Sequence, residues 1–175
     1  ELSSGKFRKI VVFGMKQFFL WSVWLIGDLK NGLIFWESDD VMCGVIEAFE
    51  TISDKKYNLV IMGYGELEEY TQNIANKYEN IFFHEAVSPS VLLNYTSSAD
   101  IGISTIENTC LSYYYCLPNK MFEYIMAEIP LMVSNLPEMS KVVAQHEIGV
   151  ILDADSISNI HQAIEKTSGF DLEQL

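Results

Sequence analysis

The stretch LPNKMFEYIMAEIPLMVS (117–134) places an amide, an amine and a carboxylate at the start of a short helical pattern. The pattern predicts a helix that begins near Asn119, and the first N–H groups of a helix have no intrahelical partners. Those groups, the helix dipole and the mobile cation of Lys120 suit an anion such as a diphosphate. Glu123 shares a face with Asn119, so its carboxylate could accept hydrogen bonds from the vicinal hydroxyls of a ribose. A plain solvated first turn, with Glu123 complementing the dipole, fits the same residues.

A second candidate contact lies in the loop MGYGELEEY (62–70), directly after an apolar run. Gly63 and Gly65 predict a sharp turn that lets the backbone approach a ligand, just before another helix N-terminus. The loop is not a full GxGxxG fingerprint, and the three glutamates that follow would repel a phosphate. A purely structural turn therefore stays open beside ligand contact.

The elements that position these residues are alternating strands and helices. Nearly continuous apolar runs predict strands covered on both faces, at 9–14, 58–63, 80–85, 100–105, 130–134 and 149–153. Segments of helical period predict helices between them, at 45–52, 66–78, 88–99, 119–127, 136–146 and 156–167. The alternation predicts an α/β fold, a Rossmann-like doubly wound parallel sheet of about six strands with helices on both faces. Ligands of such sheets bind near the switch point, at the carboxyl ends of the strands.

The segment 15–44 does not fit this alternation, because it is too long for one connection and too apolar for a solvated loop. It could hold an extra strand or hairpin, with WESDD (36–40) as a polar turn before a helix at Val41. Its run FFLWSVWLIG (18–27) spans half of the roughly 20 residues that a membrane-crossing helix requires. A buried element, a docking surface for another domain and a membrane face all stay open.

The residue composition bears on the size of the domain, on its partners and on metal binding. The chain has 175 residues, 49% hydrophobic and 20% charged, which predicts a single globular domain over 1–175. A net charge of -13 with one arginine, Arg8, disfavours nucleic acid as a partner. The three cysteines lack disulfide or zinc spacing and predict reduced thiols in a cytoplasmic protein. The three histidines have no metal-ligand spacing, so we expect no metal ion.

From Asn58 to Lys166, the order and spacing of these motifs resemble the C-terminal, donor-binding domain of GT-B glycosyltransferases of the group 1 (family 4) type. The segments PNKMFEY (118–124) and IPLMVSNLPEM (129–139) are the most specific part of the resemblance. It implies a fold that is one half of a GT-B enzyme, whose active site lies in a cleft between two Rossmann-like domains. The acceptor domain would lie N-terminal to Glu1, so we expect this chain alone to bind donor without turnover.

The resemblance also implies roles for individual residues. Glu123 would hold the donor ribose, and Asn119 and Lys120, with Pro118 before them, would lie in the loop around the diphosphate and sugar. Glu123 and Lys120 are then the catalytic candidates, through orientation and stabilisation of the leaving diphosphate. Further nucleotide contacts are implied for the glycine turn and for the backbone of the loop beside the base, at Gly63, Gly65, Glu85, Ala86 and Val87.

Two departures from the family pattern bear on this site. Tyr115 stands eight residues before Glu123, where many relatives have a glutamate that reaches the transferred sugar, and Glu107 is the nearest upstream acid. Relatives also use an Arg and Lys pair after the first strand to neutralise the diphosphate, whereas this chain offers only Lys16 and Lys30 there. Either one of these lysines serves, with Lys16 as our candidate, or the donor site is weakened.

The resemblance predicts an enzyme, a glycosyltransferase of the hexosyltransferase type. It would move a sugar from a nucleotide diphosphate sugar to a glycan or lipid-linked acceptor, in the synthesis of cell-surface polysaccharide. The nucleotide sugar is a co-substrate, and no other cofactor is expected. We expect a cytoplasmic protein, with peripheral contact at the inner face of the membrane as an option for the full-length enzyme.

Two other functions stay open on the sequence. The first is a non-catalytic interaction module on the same fold, favoured by Tyr115, by the missing arginine and by the apolar run 18–27. Nucleotide affinity separates this function from the leading one. The second is a dinucleotide oxidoreductase, which would need a GxGxxG after the first strand, where FGMKQFF (13–19) stands instead.

Overall fold

The computed structural model of the protein describes residues 8–13, 39–52, 57–65, 67–153 and 156–169. The strands are β1 (Arg8–Phe13), β2 (Tyr57–Gly63), β3 (Ile81–Glu85), β4 (Ile101–Ser104), β5 (Leu131–Ser134) and β6 (Gly149–Leu152). The helices are α1 (Asp39–Thr51), α2 (Glu68–Lys77), α3 (Pro89–Thr96), α4 (Leu111–Tyr114), α5 (Asn119–Met126), α6 (Pro137–His146) and α7 (Ile157–Ser168).

The six strands form one parallel sheet in the order β3-β2-β1-β4-β5-β6. The chain builds the sheet outward from β1 through β2 and β3, and then outward on the other side through β4, β5 and β6. Every residue of β4 and β5 is buried, as expected of central strands covered on both faces. The predicted Rossmann-like, doubly wound sheet is confirmed, and its switch point lies where β1 and β4 end.

Two hydrophobic clusters cover the two faces of the sheet. On one face, α1 and α7 bury Phe49 and Ile164 against strand residues such as Ile103. On the other face, α3, α5 and α6 pack through a second cluster that includes Tyr124 and Met139. Helices therefore lie on both faces, as predicted, and α5 shares its face with α3 and α6.

The predicted strands and helices agree with the structure within one or two residues at most ends. The helix predicted at 88–99 is shorter and ends at Thr96. The hydroxyls of Ser97 and Ser98 donate to carbonyl oxygens three residues earlier, and such local bonds compete with helical ones. The apolar pattern does not predict the short helix α4, which is only one turn long.

The prediction of a polar turn over 36–40 is wrong for Asp39 and Asp40, which belong to α1. Aspartate is a favoured residue type at the start of a helix, which explains the earlier start. For the same reason, the helix predicted at 45–52 begins earlier in the structure, at Asp39. The other predictions for 15–38, including the apolar run and both lysines, lie outside the described residues.

Candidate functional site

A buried tyrosine holds helix α5 over strand β4. The ring of Tyr124 lies so close to Gly102 that a Cβ added at Gly102 would be 2.6 Å from the ring carbon Cδ1. The Tyr124 hydroxyl donates a hydrogen bond of 3.0 Å to the carbonyl oxygen of Ile103. Because the chain passes from β4 through α5 to the parallel strand β5, α5 runs antiparallel to both strands. The first turn of α5 therefore lies at the carboxyl edge of the sheet.

The first turn of α5 presents a helix N-terminus that no N-cap side chain satisfies. The helix begins at Asn119, as predicted, and the N-cap residue Pro118 makes no side-chain capping bond. The first turn also lacks acidic residues, whereas α2 and α6 begin with glutamates. The positive end of the dipole is thus not offset within its own first turn, and this arrangement suits an anionic ligand.

Glu123 lies one turn further along α5 and is half-buried. Burial raises the pKa of its carboxyl above the ordinary value, and the charge of Lys120 partly offsets that rise. The two side chains are three residues apart on one helix, which brings them onto neighbouring positions of the surface. A half-buried carboxylate next to an amine at the sheet edge is suited to accept hydrogen bonds from ligand hydroxyls.

The loop after β2 has the sharp turn that its two glycines predict. Gly63 has a φ of 156° and Gly65 a φ of 152°, a region that residues with side chains rarely adopt. Gly63 is also the last residue of β2, which pairs with the central strand β1. The backbone of this loop therefore turns at the carboxyl edge, beside the switch point.

The loop after β3 begins next to the glycine turn, because Glu85 is the register partner of Gly63. Glu85 is exposed, while Ala86 and Val87 are half-buried, and Val87 packs against the cluster beneath α5. The carbonyl oxygen of Glu85 lies 2.6 Å from Nδ1 of His84. The structure thus places two of the predicted nucleotide-contacting segments side by side, and their contact with a base stays a prediction.

The end of β4 adds a buried polar residue that the sequence reasoning missed. Ser104 is fully buried, and its hydroxyl has no hydrogen-bond partner in the part of the chain that the structure describes. Ser104 is two residues beyond Gly102 on the same face of the strand, and so lies beneath the turn of α5 that precedes Tyr124. Unsatisfied buried groups are rare and often mark functional positions. The signal in the sequence was a serine that ends an apolar strand.

Ser104→Ala is expected to raise the free energy of unfolding by up to about 1 kcal/mol, because it removes a buried hydroxyl that has no partner among the described residues. Thermal or urea unfolding measures the change. Ser134→Ala is the matched control, since Ser134 is also buried at the end of a central strand but accepts a 2.7 Å hydrogen bond from the N–H of Ile106. The control is expected to lose about 1 kcal/mol. Equal losses for the two variants would contradict the unpaired state of Ser104.

Two other residues that the sequence offers as candidates are Lys16 and Glu107. Lys16 lies outside the described residues, and Glu107 is half-buried in the loop after β4, where its role stays a prediction. His161 has a structural role, because its Nε2 lies 2.7 Å from the carbonyl oxygen of Ala48 and ties α7 to α1. Ser156 also has a structural role, because it caps α7 by accepting a hydrogen bond from the N–H of Asn159.

The described residues contain neither a cluster of metal ligands nor a membrane-spanning helix. No three histidine, cysteine, aspartate or glutamate side chains among them cluster as metal ligands would. Within the same residues, every helix is too short or too polar to cross a membrane. The expectation that no metal ion is needed stays a prediction.

The strand order, the glycine turn and the helix N-terminus at the carboxyl edge are features that nucleotide-binding domains of the α/β class share. Residues 43–168, well over half of the chain, match the model of a family described as glycosyl transferases group 1. The chain belongs to this family, which confirms the resemblance and leaves the oxidoreductase alternative without support. No curated protein sequence is significantly similar to the chain.

Solved structures with the same fold include three proteins at low sequence identity. WaaG, a glycosyltransferase involved in lipopolysaccharide biosynthesis, is 12% identical with a TM-score of 0.58, over 94% of this chain and 39% of WaaG. S. aureus MnaA, solved with UDP, is 11% identical with a TM-score of 0.62, over 94% and 37%. Anabaena HepE, solved with UDP-glucose, is 13% identical with a TM-score of 0.56, over 90% and 39%. The chain thus spans less than half the length of each of these proteins.

Proposed function

We propose that this chain is the donor-binding domain of a glycosyltransferase that uses a nucleotide diphosphate sugar. The observation that carries the proposal is the start of α5 at the carboxyl edge of the sheet. A helix N-terminus without a side-chain cap and Lys120 lie in its first turn, and the half-buried Glu123 lies one turn further on. Family membership supports this reading of the edge as a donor site. So do the ligands of two proteins of the same fold, UDP in MnaA and UDP-glucose in HepE.

In this proposal, each part of the edge binds one part of the donor. The N–H groups at Asn119 and Lys120 and the Lys120 amine stabilise the diphosphate, including the charge that develops as it leaves the sugar. The Glu123 carboxylate accepts hydrogen bonds from the ribose and so orients the donor. The glycine turn and the backbone of 85–87 face the rest of the nucleoside. No step in this scheme needs a metal ion.

The transfer reaction belongs to the whole protein rather than to this chain alone. Since the chain spans less than half of the solved structures it resembles, we propose that a second, N-terminal domain binds a glycan or lipid-linked acceptor. A role in cell-surface polysaccharide synthesis has its support in WaaG, which acts in lipopolysaccharide biosynthesis. The three cysteines are thiols rather than disulfides, which favours a reducing, cytoplasmic location, and any peripheral membrane contact would come through the second domain.

Calorimetric titration with UDP, GDP and ADP tests the donor site. We expect saturable binding of one nucleotide, and Lys120→Ala should weaken it about tenfold, because a charge-assisted contact to the diphosphate contributes about 1.5 kcal/mol or more. Lys141→Ala is the control, since Lys141 is an exposed lysine within α6. Absence of binding to all three nucleotides, in a protein that includes the second domain, would overturn the proposal in favour of an interaction module.

A further inference from the structure

Strand β3 forms an edge of the sheet and carries little that would keep another strand from pairing with it. Among the described residues, its one strand partner is β2. Its sequence, IFFHE (81–85), lacks the proline and lysine that commonly block exposed edges, and its one carboxylate, Glu85, stands at the end. Phe82 is 42% exposed, and His84 is exposed as well. A partly apolar edge of this kind is a template for a further strand.

The backbone of β3 shows which of its hydrogen-bonding groups face outward. The carbonyl oxygen of Asn80 accepts from the Leu59 N–H of β2 at 2.8 Å, so the peptide groups of every second residue from Asn80 point toward β2. The intervening residues point their peptide groups away from the sheet, and these are Ile81, Phe83 and Glu85. The Ile81 N–H agrees with this direction, because it bonds at 3.4 Å to the carbonyl oxygen of Tyr78, which lies outside β2.

These outward groups match those of a second copy of the same strand. If two copies of β3 run antiparallel about a two-fold axis at Phe83, the outward groups of both copies meet in register. Phe83 and the Phe83 of the second copy then exchange both of their backbone hydrogen bonds. The carbonyl oxygen of Ile81 accepts from the Glu85 N–H of the second copy, while the Ile81 N–H keeps its bond to Tyr78.

The side chains on the α3 side of the sheet are complementary in the same register. Phe82 and His84 point to this side, where the His84 ring meets the Tyr95 ring of α3 edge to face at 5.3 Å. Pairing about Phe83 sets Phe82 opposite the His84 of the second copy, with Cα atoms about 4.5 Å apart. Tyr95 is itself 42% exposed, so each side of the axis gains a cluster of three aromatic rings.

Charge also fits this register. The chain has a net charge of -13, so two copies repel each other wherever acidic faces meet. Glu85 lies two residues from the axis, opposite the Ile81 of the second copy, so the two Glu85 residues are about 14 Å apart along the strands. That distance exceeds the Debye length of about 8 Å at physiological salt, which leaves little repulsion between them. Helix α3 adds no charged residue to this side.

We propose that β3 is a dimerisation edge, at which two copies of this chain join their sheets through antiparallel β3 strands. The occupant is a second copy, because one register of self-pairing satisfies the backbone groups, the aromatic side chains and the charge together. Dimerisation through β3 does not depend on the proposed function, and no nucleotide is needed to test it.

Analytical ultracentrifugation of the whole chain measures the equilibrium between monomer and dimer. We expect a concentration-dependent dimer. Phe82→Lys should weaken it tenfold or more, because each dimer loses two aromatic pairs and a lysine blocks the edge. Phe122→Lys is the matched control, since Phe122 is also 42% exposed but lies in α5, and the change in charge is the same. The control should leave the equilibrium unchanged, and Phe82→Tyr, which keeps the ring, should retain the dimer.

A cysteine at the axis locates the contact. Phe83→Cys places a thiol opposite its own copy, at a Cα separation of about 5.5 Å that a disulfide spans. Mild oxidation should therefore link this variant into a covalent dimer. Glu85→Cys is the control, because its two copies are about 14 Å apart, and it should give no more covalent dimer than the unsubstituted protein.

Each other outcome overturns the proposal. A protein that stays monomeric at high concentration leaves this edge to a strand of some other protein. A dimer that Phe82→Lys does not weaken, and that Phe83→Cys does not link, forms through another surface. Circular dichroism shows whether each variant is folded. If Phe82→Lys does not fold, the comparison of Phe83→Cys with Glu85→Cys decides on its own.

Discussion

Glu123→Ala is expected to weaken nucleotide binding by roughly 10- to 100-fold, which is the largest loss of affinity that we expect from one substitution in this site. In the proposed site, the Glu123 carboxylate accepts from the ribose hydroxyls, and hydrogen bonds to a charged group contribute about 1.5–3 kcal/mol each. Calorimetric titration at neutral pH measures the loss. Glu165→Ala, an exposed glutamate in α7, is the control. Unchanged affinity in Glu123→Ala would show that this carboxylate does not hold the ribose.

Glu123 is expected to strengthen nucleotide binding but to lower the stability of the free protein at neutral pH. Burial raises the pKa of Glu123, so at intermediate pH the folded protein keeps a proton that the unfolded chain has released. The free energy of unfolding therefore falls as pH rises from the ordinary value of 4.5 through the raised pKa. Glu123→Gln should make the free protein more stable at neutral pH, with no gain below pH 4.5, while still weakening nucleotide binding. Urea unfolding of both proteins across this range measures the difference.

Gly102→Ala is expected to lower the free energy of unfolding by about 2–4 kcal/mol. The added Cβ would be 2.6 Å from the Tyr124 Cδ1, well inside van der Waals contact. The ring cannot withdraw easily, because it is fully buried and its hydroxyl is bonded to the carbonyl oxygen of Ile103. The substitution should therefore push α5 away from β4 and weaken nucleotide binding as well.

Chemical denaturation measures this loss, and a second glycine provides a control of opposite sign. Gly44 lies in α1, where the nearest described atom to an added Cβ would be Ile160 Cδ1 at 4.0 Å, an ordinary contact. Gly44→Ala should stabilise the protein by about 0.5–1 kcal/mol, because alanine is the better helix former. If Gly102→Ala were as well tolerated as Gly44→Ala, Tyr124 would not set the position of α5.

The fold could be predicted because its central strands are buried on both faces. Residues 101–104 and 131–134 form short, continuous apolar runs that no amphipathic helix would show, and both are fully buried strands. The start of α5 could also be predicted, since Pro118 fits only before or within the first turn of a helix. Because the strands are parallel and alternate with helices, the order of these elements along the chain predicts which loops lie at the carboxyl edge of the sheet.

Other features depend on contacts between distant residues and could not be read from local patterns. The pairing of Gly102 with Tyr124 joins positions that lie 22 residues apart, and neither residue type signals the other. The Ser104 hydroxyl has no partner among the described residues, and this depends on everything packed around it, so the sequence could show only that a serine ends the strand. The early end of α3 follows from competing serine hydroxyls, whose effect the helical period does not register.

In the proposed donor site, a nucleotide binds at the carboxyl edge, against the first turn of α5. A two-dimensional NMR titration of the 15N-labelled protein, with the nucleotide that binds in calorimetry, locates the binding site residue by residue. We expect the saturating shifts to concentrate in the amides of 63–65, 85–87 and 119–123. Shifts confined to α1 and α7, on the opposite face of the sheet, would contradict the account.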